Sequence, residues 1–249
     1  MTNQPTTHQT KNTGRSAWST LFRILGILVL AAVALWAVAE LTTETELAEQ
    51  TVSVEGVTQI VASGEAGDIT IAVEDRSDIE VTSELTSNLW SEVGNEVDLG
   101  DGTLTVASEC DGVFFMFNCS ASHTIRVPSD AVGELDLTTT AGTITVSGSS
   151  AEVDARTTAG DIDLLDYFGD SATLRTTAGG ITVDATVAPR SISAETTAGR
   201  IVITVPDEVY DVDTDTTAGD IDVSVRTDPG ADRTISASTT AGEITISNG

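Results

Sequence analysis

The chain has 249 residues, 40% of them hydrophobic but only 4% aromatic, and a formal net charge of −28. So acidic a surface repels nucleic acid and anionic lipid headgroups, which excludes both as ligands. So few rings argue against a wide globular core and for a thin one of Val, Ile, Leu, Ala and Thr, as between stacked strands.

The charge is unevenly spread. Residues 1–39 carry Lys11, Arg15 and Arg23 and no acid, whereas residues 40–249 carry eight arginines against all 39 acids, 8 − 39 = −31. Between these regions, Leu21 to Ala39 holds a single charge, Arg23. Nineteen residues at ~1.5 Å each span about 28 Å, close to the hydrocarbon thickness of a bilayer. Arg23 can snorkel, and Trp18 and Trp36 stand where indoles favour the interface. The basic flank precedes the segment and Glu40, Glu44, Glu46 and Glu49 follow it. The expected layout is a cytoplasmic tail (1–20), one transmembrane helix (21–39), a linker (40–50) and an exported remainder. A second reading stays open. Ala37-Val38-Ala39 has the small-x-small form of a signal-peptidase site, and cleavage near Ala39 would release a secreted protein. The long polar stretch before Ile24 and the bulky Trp36 argue for the uncleaved anchor.

Residues 51–130 are expected to form an irregular β part. Export makes a disulfide the natural reading of Cys110 and Cys119, with two buried free thiols as the alternative. A metal site would need more ligands than the nearby His123 offers, so no metal or other cofactor is expected.

From 131 to 249 the chain repeats. Thr-Thr-Ala-Gly ends at Gly142, Gly160, Gly179, Gly199, Gly219 and Gly242, at intervals of 18, 19, 20, 20 and 23 residues. Two residues after each glycine stands an isoleucine (Ile144, Ile162, Ile181, Ile201, Ile221, Ile244), and two further on another aliphatic. Period-two alternation also precedes each motif, as in Leu135/Leu137 and Ile192/Ala194. A degenerate copy, "GEAGDITI", runs from Gly64 to Ile71. Each unit reads as strand, Thr-Thr-Ala-Gly corner, strand and variable loop. A single unit cannot bury its own face, so the units must stack as an all-β parallel solenoid with rungs of ~18–23 residues. The first Thr of each pair is predicted to point inward and the second outward.

The membrane segment, "GEAGDITI", the cysteine pair followed by "HTIRVP" (His123–Pro128), and the reiterated "TTAGDIDL" together resemble the bacterial and archaeal putative-adhesin family of β-strand-repeat proteins, a domain family of unknown function. The resemblance covers about residues 50–249. It implies a right-handed, single-stranded parallel β-helix and supplies no catalytic residues.

The exposed positions offer little chemistry. Asp161/Asp163, Asp220/Asp222 and Asp211/Asp213/Asp215 could share cations, but neighbouring rungs break the columns and the calcium-binding β-roll pattern is absent. Arg156 and Arg175 fall at equivalent positions, with salt-bridge partners such as Asp154 or Asp161 at hand. The exported part has no lysine and only His123 to serve a polysaccharide lyase, so no enzyme is expected. The expected function is a non-catalytic, adhesin-like surface module, anchored by one helix and meeting a surface protein or glycan. The alternative is a self-assembling envelope scaffold. The chain stops three residues after Ile246 with no polar cap, and an open solenoid end invites self-association. A cation-binding or polysaccharide-processing β-helix ranks below both.

Overall fold

The computed structural model describes residues 43–88, 91–112, 119–129 and 132–249. The tail and membrane helix predicted for residues 1–39 lie outside the described residues.

Every regular element described is a strand. The first part of the unit holds β1 (Glu44–Ser53), β2 (Gln59–Ala66), β3 (Ile69–Glu74), β4 (Asp78–Ser87), β5 (Ser91–Gly100), β6 (Thr103–Gly112) and β7 (Ser120–Pro128). The repeats supply strands in pairs around each Ala-Gly corner: β8 (Glu134–Ala141) with β9 (Ile144–Ser147), β10 (Glu152–Ala159) with β11 (Ile162–Tyr167), β12 (Ser171–Ala178) with β13 (Ile181–Ala185), and β14 (Ser191–Ala198) with β15 (Ile201–Val205). The last two repeats give β16 (Val209–Ala218) with β17 (Ile221–Val223), then the short β18 (Arg226–Thr227), then β19 (Thr234–Ala241) with β20 (Ile244–Asn248).

These strands form two ten-stranded sheets. Sheet I runs β1-β4-β7-β3-β9-β11-β13-β15-β20-β17, and sheet II runs β18-β16-β19-β14-β12-β10-β8-β2-β6-β5. Pairing between successive rungs is parallel and in register: Thr157 opposes Thr139 on one side and Thr176 on the other, and Ile162 opposes both Ile144 and Ile181. Identical motifs therefore fall in columns at the ~4.8 Å spacing of hydrogen-bonded strands.

The core between the sheets is as thin as the composition predicts. Sheet I contributes the buried column Ile69, Ile144, Ile162, Ile181, Ile201 and Ile244, with Ile71, Val146, Leu164, Val183, Ile203 and Ile246 beside it. Sheet II contributes Leu135/Leu137, Val153/Ala155, Ala172/Leu174, Ile192/Ala194 and Ile235/Ala237.

Three features go beyond what the repeat pattern predicts. First, residues 51–130 continue the stack. The degenerate copy forms β2/β3 and pairs directly with β8/β9, and β6/β7 pairs outside β2/β3. Antiparallel β5, β4 and β1 then close that end. The disulfide between Cys110 and Cys119 joins the end of β6 in sheet II to the start of β7 in sheet I. Closing so short a loop contributes about 2–3 kcal/mol by the chain-entropy model. Second, the rungs are not stacked in chain order. β19/β20, the last repeat in sequence, lies between β14/β15 and β16/β17. The edge expected to be open after Ile246 is therefore covered on both sides, and β16/β17 is the terminal rung.

Third, the two tyrosines stand at strand ends next to the variable loops, Tyr167 closing β11 and Tyr210 second in β16, and both are fully buried. At Tyr167 the register slips after Leu164, and Asp166 takes φ 49°, which turns the ring inward. Its hydroxyl is shared between the carbonyls of Ala151 (3.1 Å) and Ser171 (2.6 Å). Tyr210 donates to Pro206 O at 3.0 Å. Burial pushes both phenols above their ordinary pKa. A pattern of aliphatic alternation does not reveal such plugs, because they stand outside the repeat.

His123 on β7 spans the two sheets. It is buried, with Nδ1 2.9 Å from Ser83 Oγ on β4 and Nε2 3.0 Å from Ser108 Oγ on β6. Burial lowers its pKa, so the folded chain holds it neutral. The unfolded chain takes up that proton once pH falls below about 6.5. Stability is therefore full above ~6.5 and is lost as pH falls toward the folded-state pKa. Thermal melts between pH 8 and pH 5 should show this loss. His123→Gln should remove it, while lowering stability at pH 8 by about 1–3 kcal/mol through the unpaired hydroxyls. A variant that keeps the wild-type slope between pH 6.5 and pH 5 would rule His123 out as its source.

Candidate functional site: the hydroxyl face of sheet II

The corner column explains the motif. The inward threonines Thr139, Thr157, Thr176, Thr196 and Thr239 are buried, each at 6% exposure or less. These five, and the half-buried Thr216 of the terminal rung, each donate a hydroxyl to the corner glycine carbonyl of the adjacent rung: Thr139 to Gly67 (3.2 Å), Thr157 to Gly142 (3.2 Å), Thr176 to Gly160 (3.0 Å), Thr196 to Gly179 (3.0 Å), Thr239 to Gly199 (3.4 Å) and Thr216 to Gly242 (3.3 Å). The buried hydroxyl is thereby satisfied, and so is a second lone pair of the carbonyl. The glycines are demanded by proximity. A Cβ at Gly160 would fall on the carbonyl of Gly142, and one at Gly199 on that of Gly179. Gly142, Gly160, Gly179, Gly199, Gly242 and Gly219 thus form one continuous spine.

The second threonine of each pair points outward, as predicted, giving the exposed column Thr140, Thr158, Thr177, Thr197, Thr240 and Thr217. Two further outward columns run beside it: Thr138, Arg156, Arg175, Glu195, Ser238 and Asp215, and then Asp136, Asp154, Thr173, Ser193, Ser236 and Asp213. The middle of sheet II is therefore a field of outward hydroxyls crossed by the charged column of Arg156, Arg175 and Glu195. A shallow depression of about 560 Å³ runs along it, walled by the outward threonines from Thr140 to Thr197 with Arg156, Arg175 and Glu195.

The two arginines do not leave free charge there. Arg156 Nη2 lies 2.6 Å from Asp154 Oδ2, as the sequence suggested, but Arg175 Nε pairs with Glu195 at 3.1 Å on the next rung. Asp161 pairs with neither. It accepts the N–H of Gly180 at 2.6 Å, capping the corner of the adjacent rung, and Asp68 does the same for Thr143 at 2.8 Å. These carboxylates serve the backbone. Among the described residues no three His, Cys, Asp or Glu side chains converge on a cation site. Asp211, Asp213, Asp215, Asp220 and Asp222 all lie on the terminal rung. At the other end, Arg76 and Arg126 share Glu80 (3.1 and 2.6 Å) and together hold its carboxyl below the usual range.

The geometry suits a non-covalent contact with a polar, extended surface. Hydroxyls donate and accept in all directions and carry no net charge, and the strand spacing repeats them along the stack.

The family model described as Toastrack DUF4097 matches residues 120–247. A solved structure from Clostridium sporogenes, described as a putative cell adhesion protein, is 12% identical and superposes with a TM-score of 0.53 over 83% of this chain and 100% of that one. One from Bacteroides fragilis, described as a putative adhesin, is 16% identical with a TM-score of 0.40 over 82% and 97%. Another, from Parabacteroides distasonis, described as a putative lipid binding protein, is 13% identical with a TM-score of 0.37 over 83% and 97%. The first of these shares the fold. Comparison with curated proteins gives no match.

Proposed function

This chain belongs to the Toastrack DUF4097 family, and we propose that it is a membrane-anchored, extracytoplasmic binding module that uses the hydroxyl face of sheet II to hold a glycan or a polar protein surface, without catalysis. The observation that carries the reading is the outward column Thr140, Thr158, Thr177 and Thr197 along the depression, beside arginines already neutralised by Asp154 and Glu195. A face of uncharged donors and acceptors matches a neutral polyhydroxylated ligand better than a polyanion, which the chain's net charge of −28 would repel. The description of the Clostridium sporogenes protein as a putative cell adhesion protein accords with this. The disulfide favours an oxidising compartment.

Two measurements test the proposal. Changing Thr158, Thr177 and Thr197 together to valine removes the hydroxyls and keeps the β-branched shape. Binding of the solubilised chain to purified envelope polysaccharide should weaken about tenfold, as expected for losing one to two net hydrogen bonds, with the melting temperature unchanged. Undiminished binding would move the site elsewhere. Protease added to intact spheroplasts should digest residues beyond Glu40 and spare the N-terminal tail. Protection of the C-terminal part would refute the export.

A further inference from the structure

The inserted terminal repeat has a consequence for how molecules meet. The order β14/β15, β19/β20, β16/β17 is visible in the corner hydrogen bonds. Gly179 N–H donates to Ala198 O, Gly199 to Ala241 and Gly242 to Ala218, at 3.0, 3.0 and 2.9 Å. Gly219 comes last, and among the described residues its N–H meets no acceptor and its carbonyl receives no threonine. Ile221 on the same rung is 43% exposed, whereas its equivalents Ile201 and Ile244 are at 0%. Beyond β16, the short β18 pairs with Val209 and Tyr210, the turn after it sets Gly230 N–H 3.3 Å from Asp211 Oδ2, and among the described strands none pairs with the outer edge of residues 212–218. The β16/β17 edge is thus an open template of backbone donors and acceptors, the arrangement that ordinarily pairs with another strand edge.

Stacking in chain order would have placed β19/β20 there instead. Residues 234–248 carry one charge, Glu243, amid Thr, Ser, Ile and Ala. Residues 209–223 carry Asp211, Asp213, Asp215, Asp220 and Asp222 and no basic residue. Both repeats place Thr-Thr-Ala-Gly in the same register, with Val212 and Thr214 of β16 opposite Ile235 and Ala237 of β19. The connection between them, residues 224–233, is fastened back over the stack by Arg233, whose Nη1 donates to Ala188 O at 2.6 Å. The fold therefore buries its neutral repeat and exposes its most acidic one.

We propose that this end is a guarded self-association edge. Its backbone is complementary to the same edge of a second copy, and the five aspartates keep the two copies apart. Tail-to-tail pairing around a two-fold axis would set the aspartates of β16 and β17 against those of the partner, like charges at strand-pairing distance. An edge made by β19/β20 would have met no such obstacle.

The test is the association state of the detergent-solubilised full chain, by sedimentation over a hundredfold range of concentration. The wild type is expected to stay monomeric. Changing Asp211, Asp213, Asp215, Asp220 and Asp222 together to Asn should produce a concentration-dependent dimer. Hydrogen exchange at the amides of Gly219 and Ile221 should slow at least tenfold in that dimer. A control with the same charge change elsewhere (Asp75, Asp101 and Asp166 to Asn, Glu134 and Glu152 to Gln) should remain monomeric. The proposal is overturned if the five-aspartate variant stays monomeric with a native melt. It is also overturned if the control dimerises equally, which would assign the effect to net charge, or if dimers form without protecting Gly219 and Ile221. A five-aspartate variant that fails to fold is replaced by the pair Asp220→Asn and Asp222→Asn, read by the same exchange at Gly219 and Ile221. Unslowed exchange there also sinks the idea.

Discussion

Gly160→Val is expected to cost at least ~3 kcal/mol, against a typical domain stability of about 5–15 kcal/mol, and to leave much of the repeat stack unfolded at 37 °C. The new Cβ would occupy the space of the Gly142 carbonyl, which is backbone held between two rungs and cannot swing aside like a side-chain tip. Relief requires the rungs to separate at the corner. That breaks the bonds from Gly142 N to Ala159 O (3.0 Å) and from Gly160 N to Ala178 O (3.0 Å). It also breaks those from Thr157 to Gly142 (3.2 Å) and from Thr176 to Gly160 (3.0 Å). At a net ~0.5–1.5 kcal/mol each, these four alone account for about 2–6 kcal/mol. Gly94→Ala is the matched control. A Cβ there meets nothing nearer than Glu109 O at 3.8 Å, so the change should be neutral or stabilise by up to about 1 kcal/mol. Thermal melts of the two variants decide. Equal stability would mean that the glycine spine is not close-packed and that the motif recurs for another reason.

The spine shows what the sequence could and could not disclose. Exact repetition of Thr-Thr-Ala-Gly with flanking alternation was enough to read two half-buried strands per rung, inward and outward threonines, and stacking in register, because each depends only on period and side-chain size. The degenerate copy at Gly64–Ile71 was recognisable for the same reason. The β6/β7 rung was hidden, since its strands are separated by the disulfide loop and carry no corner motif. His123 had no role assigned in the sequence, because nothing local reveals that Ser83 and Ser108, from two other strands, meet its ring. Tyr167 and Tyr210 needed a bulge or loop to turn inward, and non-periodic features leave no periodic signal. The swap of the last two repeats was the hardest to see. Both repeats satisfy the motif, so the motif does not fix their order. The aspartates at 211, 213, 215, 220 and 222 were in view, but as part of a solvated acidic face they carry no mark of a terminal rung.

Removing a whole rung should be gentler than removing half of one. Arg175 opposes Glu195 and Thr176 opposes Thr196 in the pairing of β12 with β14. Deleting Thr176–Glu195 therefore joins Arg175 to Thr196 at matched positions of adjacent strands. The fused rung reads "LRTTAGRIVI" and keeps Ala172, Leu174, Thr196, Ile201 and Ile203 facing inward. It rests on β10/β11 below and β19/β20 above. Arg233 loses its carbonyl partners on Ala188 and Pro189, but it is only half-buried and can turn to water. Stability should fall by about one nearest-neighbour increment of a repeat stack, and the β spectrum should persist. Deleting only Thr176–Ala185 removes fewer residues but takes away the corner and all of β13. Sheet II keeps β14, whereas sheet I is left with β11 and β15 two spacings apart, about 9.6 Å, too far for backbone hydrogen bonds. The N–H and C=O groups facing that gap lose their partners, and the buried Ile162 and Ile201 lose the Ile181 between them. The twenty-residue deletion is expected to fold and the ten-residue deletion to fail, as read by circular dichroism and thermal melts of the two purified chains. A half-rung deletion more stable than the whole-rung one would contradict the stacked register itself.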